Sequence, residues 1–216
     1  MIEICVIILA GYLLGAIPFG LIIGLSKGVD IRQSGSGNIG ATNAGRLLGK
    51  KWGYLCMILD MLKGFIPVMV MHLIIGHRLD ISVLQVQLAM LAVAAAAISG
   101  HLFSVFIKFK GGKGVATSLG VLLGIYPFMT IASSLAFGVW IIVYLSKGYV
   151  SLASIISGFS LPVVFLILTY TQEQWQMPQI WPSFVFSCLV GFMIVFRHRS
   201  NITRLLAGTE SKNRRV

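Results

Sequence analysis

Long apolar runs alternate with short polar stretches along this chain of 216 residues. Several runs reach about 20 residues, the length of a helix that crosses the hydrocarbon core of a bilayer. Five of them predict membrane-spanning helices directly, at residues 4–26, 52–76, 81–103, 150–170 and 180–196. The pattern therefore predicts an all-α, polytopic integral membrane protein.

A sixth apolar run, residues 115–146, is too long for one upright span and short for two. As one continuous helix it would measure about 48 Å, against a hydrocarbon core of about 30 Å. Pro127 lies near its middle and favours a break. We therefore predict a helical hairpin here, which brings the number of transmembrane helices to seven.

The basic residues predict the orientation of these helices. With seven spans, 15 of the 17 Lys and Arg residues fall on one side, Arg78 falls on the other, and Lys63 lies within a span. The positive-inside rule assigns the basic side to the cytoplasm. We expect the N-terminus outside and the C-terminus in the cytoplasm. A single span at 115–146 would place Lys147 and the basic C-terminus outside, against this rule.

The composition further narrows the class of protein. Hydrophobic residues make up 57% of the chain and charged residues 11%, and the mean hydropathy of +0.92 is too high for a water-soluble exterior. The net charge of +11 reflects the one-sided basic loops, and no basic segment stands free of the membrane, so we expect no nucleic-acid partner. All three cysteines lie in apolar runs, which indicates packed thiols and no metal site.

We interpret residues 1–216 as a single membrane domain whose informative polar stretches share the predicted cytoplasmic face. These stretches are residues 32–51, 100–117, 147–154 and 197–210. The predicted external loops are short or featureless. Function is therefore expected on the cytoplasmic face.

The first stretch contains GSGNIG at residues 35–40, a match to G-x-G-x-x-G. A dinucleotide site would need a β-strand before it, whereas a transmembrane helix precedes this one. The glycines still allow backbone N–H groups to face an anion, and Arg46 offers a planar fork that suits phosphate. Neutral donors come from Ser36, Asn38, Thr42 and Asn43. A flexible loop is the alternative, but a linker would not need an arginine and asparagines among its glycines.

The second stretch, FKGGKGVATS at residues 109–118, resembles a phosphate-binding Walker loop but lacks its G-K-[ST] ending. NTPase activity is therefore not indicated. Glycines around Lys113 still lead into an apolar helix, whose N-terminus favours an anion. For His101 we expect a packing or interfacial role in preference to catalysis, and for Lys108 only a positive-inside charge.

The third stretch is RHRSNITRLLAGTE, residues 197–210. Ser200 or Asn201 is predicted to cap a short helix that ends at Gly208. His198 lies between two arginines, which favours its neutral form and suits a general base or a hydrogen-bond acceptor. A juxtamembrane basic cluster that holds lipid headgroups is the alternative.

Asp60 and Lys63 lie within the second predicted span, three residues apart and on one helix face. Charges inside a membrane are costly and are usually paired. We predict a structural ion pair.

Three segments, GSGNIGATNAGR, GHLFSVFIKFKGGKGVAT and HRSNITRLLAGTE, closely resemble the signature motifs of the bacterial acyl-phosphate glycerol-3-phosphate acyltransferases (PlsY). They occur in the family's order and on one predicted face. DMLKGFIPV and SLASI are also similar to that family, so the resemblance covers nearly the whole chain.

The resemblance implies an acyltransferase of the bacterial cytoplasmic membrane that takes part in phospholipid synthesis. Such an enzyme transfers a fatty acyl group from acyl phosphate to the sn-1 hydroxyl of glycerol 3-phosphate, giving lysophosphatidic acid and inorganic phosphate. It needs no cofactor and no metal. Its expected partners are these two substrates, membrane lipid and the upstream acyl-phosphate synthase.

Both substrates carry a phosphate, which accounts for two glycine-rich, cation-bearing loops. By resemblance, the catalytic residues are His198, Asn201 and Ser36, and phosphate is bound by Ser36, Gly37, Asn38, Arg46, Lys113 and Ser151. Gly111, Gly112 and Gly114 shape the acyl-phosphate loop, and Glu210 ties down the C-terminal segment. The proton of the glycerol hydroxyl goes either to His198 or to a substrate phosphate, and the sequence leaves both open.

Two other functions stay open. Broken helices whose ends bind anions recur in transporters, but we find no inverted repeat, and the polar groups gather at one face instead of mid-membrane. A non-catalytic lipid-binding scaffold would not need two separate phosphate sites.

Overall fold

The computed structural model describes residues 2–76, 82–172 and 177–212, and the regular elements within these ranges are all helical. The predicted all-α class is confirmed. In chain order the α-helices are α1 (Ile2–Ala16), α2 (Phe19–Ser26), α3 (Ala41–Leu48), α4 (Lys50–Ile75), α5 (Val83–Leu102), α6 (Val115–Gly124), α7 (Phe128–Lys147), α8 (Val150–Thr171), α9 (Met177–Arg197) and α10 (Arg199–Leu206). A 3-10 turn, Val105–Ile107, follows α5.

Six helical stretches of the described chain are long and apolar enough to cross a membrane. They are Ile2–Ser26, Lys50–Ile75, Val83–Ile107, Phe128–Lys147, Val150–Thr171 and Met177–Arg197. Each overlaps a predicted span, so the multi-pass membrane architecture is confirmed. Four residues on which the topology prediction depends lie outside the described ranges: Arg78, Ile81, Arg214 and Arg215.

The apolar run at 115–146 is divided where the sequence predicts. Helix α6 ends at Gly124, and α7 begins at Phe128 with Pro127 at its N-cap position. However, α6 has only 10 residues, or about 15 Å, which is half of the hydrocarbon core. The count of seven spans and the orientation of the termini therefore stay predictions.

The first predicted span contains a break that the sequence analysis did not predict. Helix α1 ends at Ala16 and α2 begins after Pro18, whose ring removes one backbone donor. The Ile17 carbonyl at this break accepts a hydrogen bond from Lys63 Nζ at 2.7 Å. The same carbonyl also accepts from the Phe19 N–H at 3.1 Å, so the buried lysine adds a second hydrogen bond at the break.

The chain divides into two compact units, Met1–Ile125 and Tyr126–Val216. In the first, α1 packs on α4 and α5, and α4 packs on α6. In the second, α8 packs between α7 and α9, and α10 contacts both α8 and α9. The single-domain assignment stays a prediction.

Glycines set the closest approaches in the first unit. A Cβ on Gly64 would overlap the Thr117 carbonyl, and one on Gly120 would overlap the Met61 carbonyl. Helices α4 and α6 therefore meet backbone to backbone, and this contact fixes where α6 begins.

Candidate active site

The loop between α2 and α3 is held together by the amide of Asn43, which is 1% exposed. Its Oδ1 accepts from the Ser36 backbone N–H at 2.9 Å, and its Nδ2 donates to the carbonyls of Ile31 at 2.8 Å and Ser34 at 3.2 Å. A side chain at Gly35, whose φ is +63°, would overlap this Oδ1. The expectation that Asn43 donates to an anion is wrong, because loop carbonyls already accept from its amide nitrogen.

The predicted anion ligands of this loop lie around that amide. Ser36 and Arg46 are exposed, so both can reach a soluble phosphate. Gly37, with φ at +67°, closes a turn by donating to the Ser34 carbonyl. The Asn38 Oδ1 accepts from the Gly40 N–H at 2.9 Å, which shapes the entry into α3.

An ion pair stabilises the start of the loop between α2 and α3. Arg32 donates to both carboxylate oxygens of Asp30, through Nε at 2.9 Å and a terminal nitrogen at 2.7 Å. These side-chain bonds, together with the bond from the Arg32 backbone N–H, lower the pKa of Asp30 to about 2. Arg32 thus orders the loop, whereas the exposed Arg46 is the better candidate for contacting a ligand.

The second glycine loop lies at the same end of the first unit. Ile107, from the 3-10 turn before that loop, packs with Ile31 and Ile39 of the first loop in one apolar cluster. A cleft of about 280 Å³ also joins the two stretches. It is lined by Arg32, Phe106, Ile107, Lys108 and Lys110.

The two adjacent glycines of this loop pack against the end of α5. The N–H of Gly111 donates to the Leu102 carbonyl at 3.1 Å, and that of Gly112 to the His101 carbonyl at 3.2 Å. A Cβ on Gly111 would overlap both carbonyls. The two N–H groups are therefore bonded inside the protein, so these glycines shape the loop through close packing.

The groups of this loop that suit an anion come after the glycine pair. Lys113 is half-buried, and Gly114, with φ at +81°, turns the chain into α6. The first hydrogen bond of α6 runs from Ser118 to the Gly114 carbonyl. The three N–H groups before Ser118 have no partner within the helix, and they form the positive end of its dipole.

Beneath this loop lies a cluster of buried polar groups. The predicted ion pair is present, with Lys63 Nζ 2.8 Å from Asp60 Oδ1 and both side chains almost fully buried. His101 Nδ1 lies 3.1 Å from Thr117 Oγ1 and 3.8 Å from Asp60 Oδ1. Helices α4, α5 and α6 are thereby linked through polar contacts within the first unit.

In the second unit, the predicted residues gather around the Glu210 carboxylate. Its Oε1 accepts from Ser151 Oγ at 2.7 Å and from Asn201 Nδ2 at 2.6 Å, and its Oε2 accepts from Arg204 Nε at 2.7 Å. Burial alone raises the pKa of Glu210, but these hydrogen bonds outweigh burial, so the pKa lies below its ordinary value. These contacts join Glu210 to α8 and α10, and its role in holding the C-terminal segment stays a prediction.

The predicted cap of α10 is wrong. The helix begins at Arg199 with His198 at the N-cap position, and no side chain caps it. Asn201 lies inside the helix and bonds to Glu210 instead. The chain passes almost directly from α9 into α10, because the His198 N–H still donates to carbonyls of the last turn of α9. Gly208, with φ at +69°, follows the end of the helix as expected.

His198 is 3% exposed and its Nδ1 lies 2.8 Å from the Ile194 carbonyl. A carbonyl only accepts hydrogen bonds, so Nδ1 carries the proton. In the neutral ring, Nε2 then bears the lone pair. This nitrogen is the one that could accept a proton or a hydrogen bond from a substrate.

The residues that support the candidate ligands do not stand out in the sequence. Asn43 bonds within its own loop, and Thr117 belongs to no recognisable spacing. The pairing of Thr117 with His101 is local in space but 16 residues apart in sequence, so no spacing rule indicates it. Within the described residues, no group of three His, Cys, Asp or Glu side chains is placed to hold a metal ion.

Comparison with known proteins was consistent across sequence and structure. The family model described as glycerol-3-phosphate acyltransferase matches residues 5–208. The glycerol-3-phosphate acyltransferase of Aquifex aeolicus is 42% identical over 206 residues, covering 95% of this chain and 97% of that protein. That of Fusobacterium nucleatum is 42% identical over 213 residues and covers 98% of both chains.

Two solved structures share the fold. The crystal structure of PlsY (YgiH), an integral membrane glycerol 3-phosphate acyltransferase, in its glycerol 3-phosphate form, is 39% identical with a TM-score of 0.81. Its lysophosphatidic acid form gives a TM-score of 0.79. Both matches cover 97% of this chain and 95% of the solved chain.

Proposed function

This chain belongs to the glycerol-3-phosphate acyltransferase family, and we propose that it transfers a fatty acyl group from acyl phosphate to the sn-1 hydroxyl of glycerol 3-phosphate. The products are lysophosphatidic acid and inorganic phosphate. The observation that carries the proposal is the pair of glycine-rich, cation-bearing loops at one end of the first unit, packed together through Ile31, Ile39 and Ile107. Two substrates that each carry a phosphate call for two such loops.

Each loop binds the phosphate of one substrate. Ser36, Asn38 and Arg46 bind glycerol 3-phosphate through the first loop, which Gly37 shapes by closing its turn. Lys113 and the N-terminal N–H groups of α6 bind the phosphate of acyl phosphate on a loop that Gly111, Gly112 and Gly114 shape. An exposed arginine suits a soluble phosphate because its planar fork makes paired hydrogen bonds.

Acyl phosphate is a mixed anhydride with a good leaving group, so no enzyme nucleophile is needed. The glycerol oxygen bonds to the acyl carbon, the bond from that carbon to the phosphate oxygen breaks, and phosphate leaves with the electron pair. Positioning and neutralisation of the phosphate charges supply most of the acceleration. By resemblance to the family, Ser36 and Asn201 orient the glycerol and Ser151 adds a hydroxyl.

The proton of the glycerol hydroxyl has two possible acceptors, His198 Nε2 and a phosphate oxygen of the substrate. We favour the substrate, because a phosphate group with its second pKa near 6 is largely a dianion at pH 7 and can take the proton. His198 then holds the substrate by a hydrogen bond. Glu210 keeps Asn201 and Ser151 in place through the bonds described above.

The membrane setting completes the proposal. We place the protein in the bacterial cytoplasmic membrane with seven spans, the N-terminus outside, and the active site on the cytoplasmic face. The basic loops support this orientation by the positive-inside rule. An acyl-phosphate synthase is the expected functional partner, because it supplies the lipid-soluble substrate.

The test uses the purified full-length protein in lipid nanodiscs, with acyl phosphate and glycerol 3-phosphate. We expect inorganic phosphate and lysophosphatidic acid in equal amounts, and no product when acyl-CoA replaces acyl phosphate. Product from acyl-CoA alone would overturn the proposed acyl substrate. Uptake of glycerol 3-phosphate into proteoliposomes without acylation would favour a transporter instead.

A further inference from the structure

The second glycine loop is built directly on the imidazole of His101. This side chain is 4% exposed, and the last turn of α5, which carries it, accepts the N–H groups of Gly111 and Gly112. A Cβ on Gly112 would overlap His101 Nε2. The loop therefore rests against the Nε2 edge of the ring.

The opposite edge of the same ring contacts the far end of the loop. His101 Nδ1 lies 3.1 Å from the hydroxyl of Thr117, which is fully buried in the first turn of α6. One imidazole thus contacts Gly112 on one side of Lys113 and Thr117 on the other. The position of Lys113 and of the α6 N-terminus depends on where this ring lies.

Charged side chains of α4 hold the imidazole of His101 in place. Asp60 Oδ1 lies 3.8 Å from His101 Nδ1 and 2.8 Å from Lys63 Nζ. Lys63 is itself anchored to the Ile17 carbonyl, and the Cys56 thiol contacts the other Asp60 oxygen at 3.7 Å. Interactions between charges are strong in a buried, low-dielectric setting, so the polar cluster holds the imidazole in one orientation.

We propose that His101 is a positioning residue for acyl transfer: through Gly112 and Thr117 it sets Lys113 and the α6 N-terminus at the distance that acyl phosphate requires. This inference goes beyond the packing role expected from the sequence, and it rests on the proposed function of the loop. The Asp60–Lys63 pair, which touches no substrate in this scheme, acts through the same ring.

The Thr117 hydroxyl offers the sharpest test, because it can be removed without changing the side chain's shape. Thr117→Val deletes the contact with His101, and Thr117→Ser retains a hydroxyl. Ser118→Ala is the matched control. Ser118 is the next residue in the chain and is as buried as Thr117, and its hydroxyl has no hydrogen-bond partner among the described residues.

Steady-state kinetics with each substrate varied in turn separate positioning from stability. We expect Thr117→Val to raise the KM for acyl phosphate about 5- to 30-fold, the effect of losing one buried hydrogen bond. The KM for glycerol 3-phosphate should stay within about twofold, and Thr117→Ser and Ser118→Ala should resemble the wild type. A loss of folded protein lowers the amount of active enzyme but leaves KM unchanged, so a merely structural role cannot produce this pattern.

A second variant pair examines the ring itself. His101→Asn places an amide nitrogen near the position of Nδ1, and His101→Ala removes both edges. We expect the KM for acyl phosphate to rise in the alanine variant and to rise less in the asparagine variant. An unchanged KM in Thr117→Val, or equal changes for both substrates, would overturn the inference while wild-type activity still supports the proposed function. A wild-type protein that does not use acyl phosphate would overturn both.

Discussion

At the scale of single residues, three largely buried side chains support the groups that we propose to touch substrate. Asn43 fixes the backbone of Ser36, the His101 ring contacts Gly112 and Thr117 on either side of Lys113, and Glu210 holds Asn201. Each satisfies its polar atoms inside the protein, which is the condition for burying them at low cost. The ligand-binding groups can therefore be short or exposed, because their neighbours provide the rigidity.

Arg46 and Lys113 are each expected to hold a phosphate. A charged hydrogen bond of this kind contributes about 1.5–3 kcal/mol, so Arg46→Ala and Lys113→Ala should each lower kcat/KM by roughly 10- to 150-fold. Lys108→Ala, an exposed cation of the same end of the unit, serves as the control and should stay within about twofold. Near-normal kinetics of both test variants would contradict the assignment.

The role of His198 can be resolved by comparing two substitutions. If it is the base, His198→Ala should lose about 10²- to 10⁴-fold in kcat, and His198→Gln should be nearly as inactive, since an amide takes no proton at pH 7. If the substrate phosphate is the base, glutamine should recover much of the activity. We expect recovery, and a Gln-to-Ala ratio of kcat close to one would rule out the substrate-assisted route.

Glu210 predicts a dependence of stability on pH. Its pKa in the folded protein lies below its ordinary value of 4.5, so its hydrogen bonds stabilise the fold fully above pH 4.5. That stabilisation is lost as the pH falls further, through the folded-state pKa. We expect the melting temperature of the wild type to drop more steeply below pH 4.5 than that of Glu210→Gln. Parallel curves would show that the carboxylate contributes nothing.

At the scale of the elements, the position of the glycine loop around Lys113 depends on how α6 packs on α4. The carbonyls of Met61 and Thr117 lie where side chains of Gly120 and Gly64 would otherwise be. Close backbone approach through small residues is common between helices in membranes, where packing replaces the hydrophobic effect as the driving force. Any side chain at this contact would displace the N-terminus of α6 together with Lys113.

Gly120→Ala tests that contact. Overlap with the Met61 carbonyl forces the helices apart, at a cost of about 1–3 kcal/mol, and we expect both a lower melting temperature and a lower kcat/KM. Gly138→Ala in α7 is the matched control, because a Cβ there meets nothing within 4 Å. It should be neutral or slightly stabilising, since alanine favours a helix by roughly 0.5–1 kcal/mol over glycine. Equal effects of the two variants would contradict the packing argument.

The elements also show what a sequence can predict. The bounds of the long helices follow from bilayer thickness, and the break near Pro127 follows from the length of its apolar run. The break at Pro18 was missed because the run stays apolar across it. The cap of α10 was wrong because His198 continues from α9, a contact that composition does not encode.

Less of the candidate site could be predicted from the sequence. The three motifs indicate the candidate residues through family resemblance, but they do not predict the contacts that support those residues. Gly111 and Gly112 were expected to fit an anion loop, but their N–H groups bond to carbonyls at the end of α5. Such a use of glycine depends on where another helix ends in space.

At the scale of the whole molecule, the one-sided distribution of Lys and Arg predicts the seven-span topology. A chain in which Cys5, Cys56 and Cys188 are replaced by alanine provides the background for single cysteines. We expect Phe128→Cys to react with an impermeant thiol reagent from outside intact cells, and Lys147→Cys to react only after the membrane is opened. The reverse pattern would contradict the topology.

The shortness of α6 has a consequence for how the protein is made. A ten-residue apolar helix is too short to be held across a bilayer by its own length, so it depends on the surface that α4 presents. The ribosome delivers α4 first, which means that this surface is already in the membrane when α6 emerges. A rearranged gene that encodes α6 ahead of α4 would release the short helix before its partner exists. The order of the helices along the chain is therefore part of the route by which the glycine loop before α6 reaches its place.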